Sequence, residues 1–316
     1  MTEILIYAAL GLCGLLVGGT VLIPGVVSLA RYLRLPAAVV AVIVIAGGTS
    51  APELLVSVDA ALVGAPGIVW GNLVGSNIAN ILLVLGLGML IQPVSADKAG
   101  RRQLLIMGGL TVLVWFICAA GGLNGAAGKL VSGALVCGFV FWMVMLLRRP
   151  DGQDGLHEPS ADTHLPPVQA ITYAVGGLVC LVAGADAFVW SGATLARSWG
   201  WPEAVVGMSF IAIGTSLPEI ISVLASLRQK RGDIALGSVV GSNTFNFSLV
   251  LGAAGLAGPL PADIITLTLL MPVLAAASFV LICTSLLKQP LGVRSGLVFV
   301  GFYLAFLSLQ LGTYNA

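Results

Sequence analysis

The sequence predicts an all-α integral membrane protein. Ten transmembrane helices are expected as two inverted five-helix repeats, with helices 2, 3, 7 and 8 broken around an ion site at the membrane midplane. Three observations predict this. The 316 residues are 58% hydrophobic and only 9% charged, with a mean hydropathy of +1.06. Lys and Arg gather in alternate connections between the apolar runs. Two long stretches of the chain also repeat each other without a gap.

Composition excludes most classes of function. Soluble domains carry about a quarter charged residues, so 14 basic and 13 acidic residues cannot cover the surface of a water-soluble enzyme of this length. A net charge of +1 with no basic tract excludes nucleic-acid binding. Cys13, Cys118, Cys137, Cys180 and Cys283 fall inside apolar stretches with no short spacing, so they indicate neither a disulfide framework nor a thiolate metal site. The chain opens with Glu3 and runs directly into an apolar segment, without the basic region of a secretory signal; this segment is expected to be a retained first span.

A hydrocarbon core of about 30 Å needs about 20 apolar residues in helical form. Divided at charged and Gly/Pro-rich breaks, the apolar runs are 3–30, 37–63, 67–91, 102–121, 126–147, 168–196, 203–227, 233–257, 263–286 and 293–314. Arg31, Arg34 and Pro36 separate the first two, and Gly64, Ala65 and Pro66 the next. The stretch 148–167, RRPDGQDGLHEPSADTHLPP, has the composition of a solvated linker and holds both histidines, so no histidine lies in a span. The expected organisation is a first membrane repeat over 1–147, a cytoplasmic linker over 148–167 and a second repeat over 168–316.

Orientation follows from the cytoplasmic excess of Lys and Arg. Connections after the odd spans hold twelve of the 14 basic residues; those after the even spans hold only Lys129 and Arg197. The expected protein is therefore a multi-pass protein of the inner (plasma) membrane, with both termini outside and the 148–167 loop in the cytoplasm. A missed or invented span would scramble this parity.

Residues 36–97 laid over 202–263 at a constant offset of 166 give 26 identities in 62 positions. Leu and Val matches carry little weight, since hydrophobic helices match by composition. The matches at Gly48/Gly214, Thr49/Thr215, Ser50/Ser216, Pro52/Pro218, Glu53/Glu219, Gly75/Gly241, Ser76/Ser242, Asn77/Asn243 and Asn80/Asn246 carry more. Each half holds five spans, an odd number, so the two enter the membrane from opposite sides. Inverted repeats of this kind build secondary transporters with a site near the midplane.

Span 2 contains AGGTSAPELLVS and span 7 AIGTSLPEIISV, each placing Thr, Ser and Glu at i, i+1 and i+4 on one helical face. The intervening Pro52 or Pro218 has no N–H. It frees the carbonyls of Gly48 and Gly214 and loosens those of Ala46 and Ala212. Spans 3 and 8 add GNLVGSNIANILLVLG and GSVVGSNTFNFSLVLG, where Ser76 and Asn80, or Ser242 and Asn246, are four apart. Together these segments would surround a site with two carboxylates, six hydroxyls and two side-chain amides.

Hydroxyls and amides in membrane helices commonly serve as hydrogen-bond glue. Glu53 and Glu219 are different. A charged side chain at the bilayer centre costs at least about 2.5 kcal/mol, and no membrane-embedded Lys, Arg or His is available to pair with either. They must be protonated or bound to a cation. Oxygen ligands without His or Cys select alkali or alkaline-earth cations, and two carboxylates are neutralised by one Ca²⁺, by two Na⁺ or by two protons. From chemistry alone the reading is a Ca²⁺- or Na⁺-binding transporter in which ions compete for the same glutamates.

These motifs resemble the two α-repeats of the Ca²⁺/cation antiporter superfamily, especially the prokaryotic sodium/calcium exchangers. G-T-S-x-P-E is followed some 20 residues later by G-S-N-x-x-N and a Leu/Val-rich run in both halves. The resemblance covers essentially the whole chain. GADAFVWSGATLA in span 6 and GGTVLIPGVVSLA in span 1 look like the family's gating helices. The resemblance implies exchange of Na⁺ for Ca²⁺ by alternating access, with spans 1 and 6 sliding across the other eight. It also implies that Glu53 and Glu219 bridge the Ca²⁺ and Na⁺ sites. Thr49 and Thr215, with the carbonyls of Ala46 and Ala212, would help hold either ion. Ser50, Ser216, Ser76 and Ser242 would complete the Na⁺ shells, and Asn80 and Asn246 would sit at the centre. The implied exchange of three Na⁺ for one Ca²⁺ moves one net charge per cycle and responds to voltage.

Some relatives, K⁺-dependent ones among them, carry Asp at the place of Asn246. Asn in both halves keeps the site at −2, argues against K⁺ co-transport and removes a carboxylate that could carry a proton. The short linker leaves no room for the Ca²⁺-sensing domains of animal exchangers. Asp186, whose mirror is Thr20, is expected to line the gate or a packing surface. Ca²⁺, Na⁺ and the lipid bilayer are the expected partners of a monomeric protein with no cofactor. The nearest rival is a proton/Ca²⁺ antiporter of the same superfamily, against which the hydroxyl-rich ring speaks, since a proton needs only the carboxylates. A passive cation channel is weaker, because pores repeat their rings by oligomeric symmetry. An intramembrane enzyme lacks the histidine that HExxH or Ser/His chemistry needs.

Overall fold

A computed structural model describes residues 2–35, 37–148, 165–199, 216–286 and 290–314. The fold is helical throughout. In chain order the principal helices are α1 (Thr2–Leu33), α2 (Ala41–Thr49), α3 (Ala51–Leu62), α4 (Pro66–Ile91), α5 (Lys98–Ala119), α6 (Gly125–Leu147), α7 (Pro167–Ser198), α8 (Leu217–Arg228), α9 (Gly232–Ala257), α10 (Thr266–Leu286) and α11 (Val293–Tyr314). Among the described residues seven of these are long and apolar enough to cross a membrane, and α2 with α3 makes an eighth, bent pair. Helix α8 is the described remainder of the seventh expected span. Large apolar side chains such as Leu55, Phe116, Leu130 and Val168 stand exposed on the outer helices. Water would not tolerate so broad an apolar girdle.

The two central helices are α4 and α9. In their most apolar stretches 72% and 89% of residues are buried, against 11% for the peripheral α6. Helix α9 packs on α2, α5, α6 and α8, and α4 on α3, α10 and α11. Each central helix therefore touches helices of both halves. On the flank, α1 and α7 run along each other as a pair.

Pro52 positions the bend in span 2. Its ring cannot donate to the preceding turn, and α2 and α3 meet at 47° across Ser50. Ser50 sits at φ −86°, ψ 5°, and Ser216, before Pro218, at φ −91°, ψ 0°. The helix restarts alike after each. Leu54 N–H donates to Ser50 O at 3.1 Å, and Ile220 N–H donates to Ser216 O at 3.0 Å.

Spans 3 and 8 differ from the expectation of broken helices. Both α4 and α9 run through as single helices of 26 residues. Each contains a π-helical stretch, Asn80–Leu85 and Asn246–Val250. No proline interrupts either helix at that depth, so the turn widens without breaking.

The connections between the expected spans meet in pairs. Val94, between spans 3 and 4, bridges Leu291, between spans 9 and 10. The strand β1 (Gly122–Leu123), between spans 4 and 5, pairs antiparallel with β2 (Leu260–Pro261), between spans 8 and 9. Odd connections meet odd ones and even meet even. The Tyr32 hydroxyl, after span 1, likewise donates to Leu165 O, at the end of the central linker, at 2.8 Å.

Candidate cation site

The N-terminal turns of α3 and α8 carry the two carboxylates. Glu53 and Glu219 are each 2% exposed. They lie within electrostatic range of each other, and the Thr49 hydroxyl neighbours Glu219 across the boundary between the halves. Ser50, Ser76, Asn80, Ser216, Ser242 and Asn246 are also buried. Among the described residues the site residues thus come from α2, α3, α4, α8 and α9, and the two glutamates have no basic partner. Thr215 and Ala212 lie outside the described residues.

The unpaired atoms identify what the site can do. Among the described residues nine buried side-chain N or O atoms lack a hydrogen-bond partner. Six belong to sequence-predicted site residues: Ser50 Oγ, Glu53 Oε2, Asn80 Oδ1, Glu219 Oε2, Ser242 Oγ and Asn246 Oδ1. An orphaned buried polar group costs about 1–3 kcal/mol. Six orphans of one element, oxygen, offered by both halves, are the donor type that hard cations take. Of the remaining three, Trp142 Nε1 and Ser278 Oγ belong to none of the motifs, and Ser238 Oγ lies in the span-8 motif without being one of its predicted ligands.

Other hydroxyls are held so that their lone pairs stay free. Thr49 donates to Ile45 O at 2.9 Å, and Ser76 to Asn72 O at 2.7 Å. With its one proton committed, each oxygen can only accept. The Ala46 carbonyl, expected to be loosened, instead accepts Ser50 N–H at 3.0 Å. The Thr49 hydroxyl lies 3.5 Å from the same carbonyl, at the limit of a second hydrogen bond.

Sequence reasoning missed the groups behind the ligands. Asn72 Nδ2 donates to Glu53 O at 3.3 Å and to Ser57 Oγ at 3.0 Å. In the second half Ser222 Oγ donates to Glu219 O at 3.0 Å. These braces occupy non-equivalent positions, so the repeat could not reveal them. Asn77 and Asn243 were visible as a repeat pair, but their partners were not: they bond to Asn246 and Asn80 of the opposite half. Asp186 and Thr20 are exposed, and the Thr20 hydroxyl bonds back to Leu16 O.

Buried oxygens gathered inside a bundle of apolar helices are the arrangement of a membrane transporter of cations. The sodium/calcium exchanger protein family matches residues 3–148 and 169–312, and the chain belongs to that family. The sodium/calcium exchanger MaX1 of Methanosarcina acetivorans is 30% identical over 94% of this chain and 95% of its own. A membrane protein of Methanocaldococcus jannaschii is 30% identical over 97% and 98%. The structure of the sodium-calcium exchanger NCX_Mj soaked with 10 mM Na⁺ and no Ca²⁺ superposes with a TM-score of 0.85 at 28% identity, covering 97% of this chain and 98% of that one. The protein is a multi-pass membrane exchanger of cations.

Proposed function

We propose that the protein exchanges Na⁺ for Ca²⁺ by alternating access, with both ions competing for the oxygens around Glu53 and Glu219. The observation that carries this reading is the set of unpartnered buried oxygens in both halves, two of them on carboxylates without a basic partner among the described residues. The ligands in this reading are Thr49, Ser50, Ser76 and Asn80 with Thr215, Ser216, Ser242 and Asn246, and the carbonyls of Ala46 and Ala212. Two carboxylates match one Ca²⁺ in charge, and the neutral oxygens supply the six to eight ligands that Ca²⁺ prefers. Hydroxyls serve Na⁺ and contribute nothing to a proton, which favours Na⁺ as the coupling ion. Exchange of three Na⁺ for one Ca²⁺ makes each cycle electrogenic.

The architecture in this reading is ten spans in two inverted repeats, 1–147 and 168–316, joined by a cytoplasmic linker over 148–167. Both termini lie outside the inner (plasma) membrane, and the unit is a monomer with no cofactor. Helices α1 and α7 slide as the gate.

Reconstituted vesicles loaded with Na⁺ and diluted into Na⁺-free buffer test the proposal with isotopic Ca²⁺. Uptake that needs the Na⁺ gradient and responds to an imposed potential is expected. Uptake driven by a pH gradient with no Na⁺ present would replace Na⁺ with H⁺, and unsaturable flux independent of any gradient would mean a channel.

A further inference from the structure

Asn77 and Asn243 lie one turn before Asn80 and Asn246 and touch none of the orphaned oxygens through a bond of their own in the hydrogen-bond network described above. We infer that they are positioning residues, which turn the side-chain carbonyl oxygens of Asn80 and Asn246 toward the cation, each acting on the ligand of the opposite half. The inference rests on the site proposed above and goes further by assigning what fixes its two amides.

The orientation follows from which atoms can donate. A backbone carbonyl only accepts. The Asn77 side-chain amide meets the backbone carbonyl of Asn243 at 3.4 Å, and that of Asn243 meets the backbone carbonyl of Asn77 at 3.1 Å. In both, the group facing the carbonyl must be the NH₂. The side-chain oxygen of each then faces the other way. There Asn77 Oδ1 lies 3.0 Å from the Asn246 amide, and Asn243 Oδ1 lies 3.0 Å from the Asn80 amide. Those oxygens also only accept, so Asn246 and Asn80 must present their NH₂ groups to them.

The consequence falls on the ligands. With both NH₂ groups engaged, Asn80 Oδ1 and Asn246 Oδ1 point elsewhere, buried and without a partner. A carboxamide in this state offers a cation an oxygen; flipped, it would set two oxygens against each other and offer the cation an NH₂. Two backbone carbonyls thus fix four amides in sequence. The crossing also ties the two halves together, since each ligand is held from across the α4/α9 contact.

A double-mutant cycle tests the assignment in the full-length chain, reconstituted in vesicles with an outward Na⁺ gradient and isotopic Ca²⁺. Outer-shell partners of metal ligands typically contribute 10–100-fold in affinity, so Asn77→Ala is expected to raise half-saturating Ca²⁺ roughly tenfold. Adding it to Asn246→Ala should cost nothing more, because Asn77 acts through Asn246. Adding it to Asn80→Ala should multiply the two effects. A residue that merely supports the fold would not distinguish these crossings. The mirror cycle, Asn243→Ala with Asn80→Ala, reads the same prediction should Asn77→Ala fail to accumulate. Half-saturating Ca²⁺ within about twofold of the unaltered protein in Asn77→Ala, or equal multiplication in both crossings, overturns the positioning role and leaves the site standing. No change in Asn80→Ala and Asn246→Ala would overturn the site and this role together.

Discussion

The pair α1/α7 and the pair α4/α9 each join one helix from either half of the chain, and opposite chemistry joins them. Between α1 and α7 the contact is backbone on backbone. A Cβ on Gly18 would lie 2.7 Å from Gly177 O, and one on Gly184 2.7 Å from Leu15 N. Small residues at a membrane interface give close approach without directional bonds. Between α4 and α9 the contact is four asparagines in a crossed network. Directional bonds fix register and orientation at the ions. In the proposed mechanism the dry pair is the moving element; α1 also packs on α8, and α7 on α8 and α2. The Leu178 side chain of α7 occupies the space beside Gly48, next to Thr49.

The proposed function assigns ion binding to the wet centre and movement to the dry seam, and four measurements test that division. The largest effect is expected from Glu219→Gln or Glu53→Gln, which should reduce Na⁺-driven Ca²⁺ uptake in vesicles to background while the protein still folds. Persisting uptake would remove the carboxylates from the mechanism. Next, Gly184→Val forces a side chain against the Leu15 backbone, and overpacking of this kind costs about 1–3 kcal/mol. Thermal unfolding in detergent should report that loss, and maximal uptake rate should fall at unchanged half-saturating Ca²⁺. A shift in half-saturating Ca²⁺ instead would break the division of labour.

Asn72→Ala removes the bonds to Glu53 O and Ser57 Oγ, at about 1 kcal/mol for a typical net hydrogen bond. A several-fold rise in half-saturating Ca²⁺ is expected, smaller than for Asn77→Ala. The least effect belongs to Ser238→Ala, at the position equivalent to Asn72 in the second half. Its hydroxyl is buried without a partner, so removal should leave stability within about 0.5 kcal/mol or raise it slightly. Equal losses from Asn72→Ala and Ser238→Ala would mean that both halves brace their glutamates alike.

Much of the site was legible because its signals are local. Thr, Ser and Glu at i, i+1 and i+4 share a face by helix geometry alone, and Pro52 announces the bend at Ser50. Burial of both glutamates followed from their depth in apolar runs. The π stretches starting at Asn80 and Asn246 left no such mark, since Asn-Ile-Leu-Leu reads as ordinary helix. The same locality misjudged Ala46, whose carbonyl stays in the hydrogen-bond ladder, and spans 3 and 8, which do not break.

The sequence by itself determined the membrane class, the apolar runs, the repeat at an offset of 166, and the oxygen-bearing residues that each half offers. These are properties of composition and of neighbours within one or two helical turns. Only the tertiary structure decided which oxygens are free and which way the amides face. Asn80 is oriented by Asn243 and Asn246 by Asn77. A side chain turns to satisfy the partner it meets in space, and no periodicity within a single helix records a partner that the fold brings from the other half of the chain.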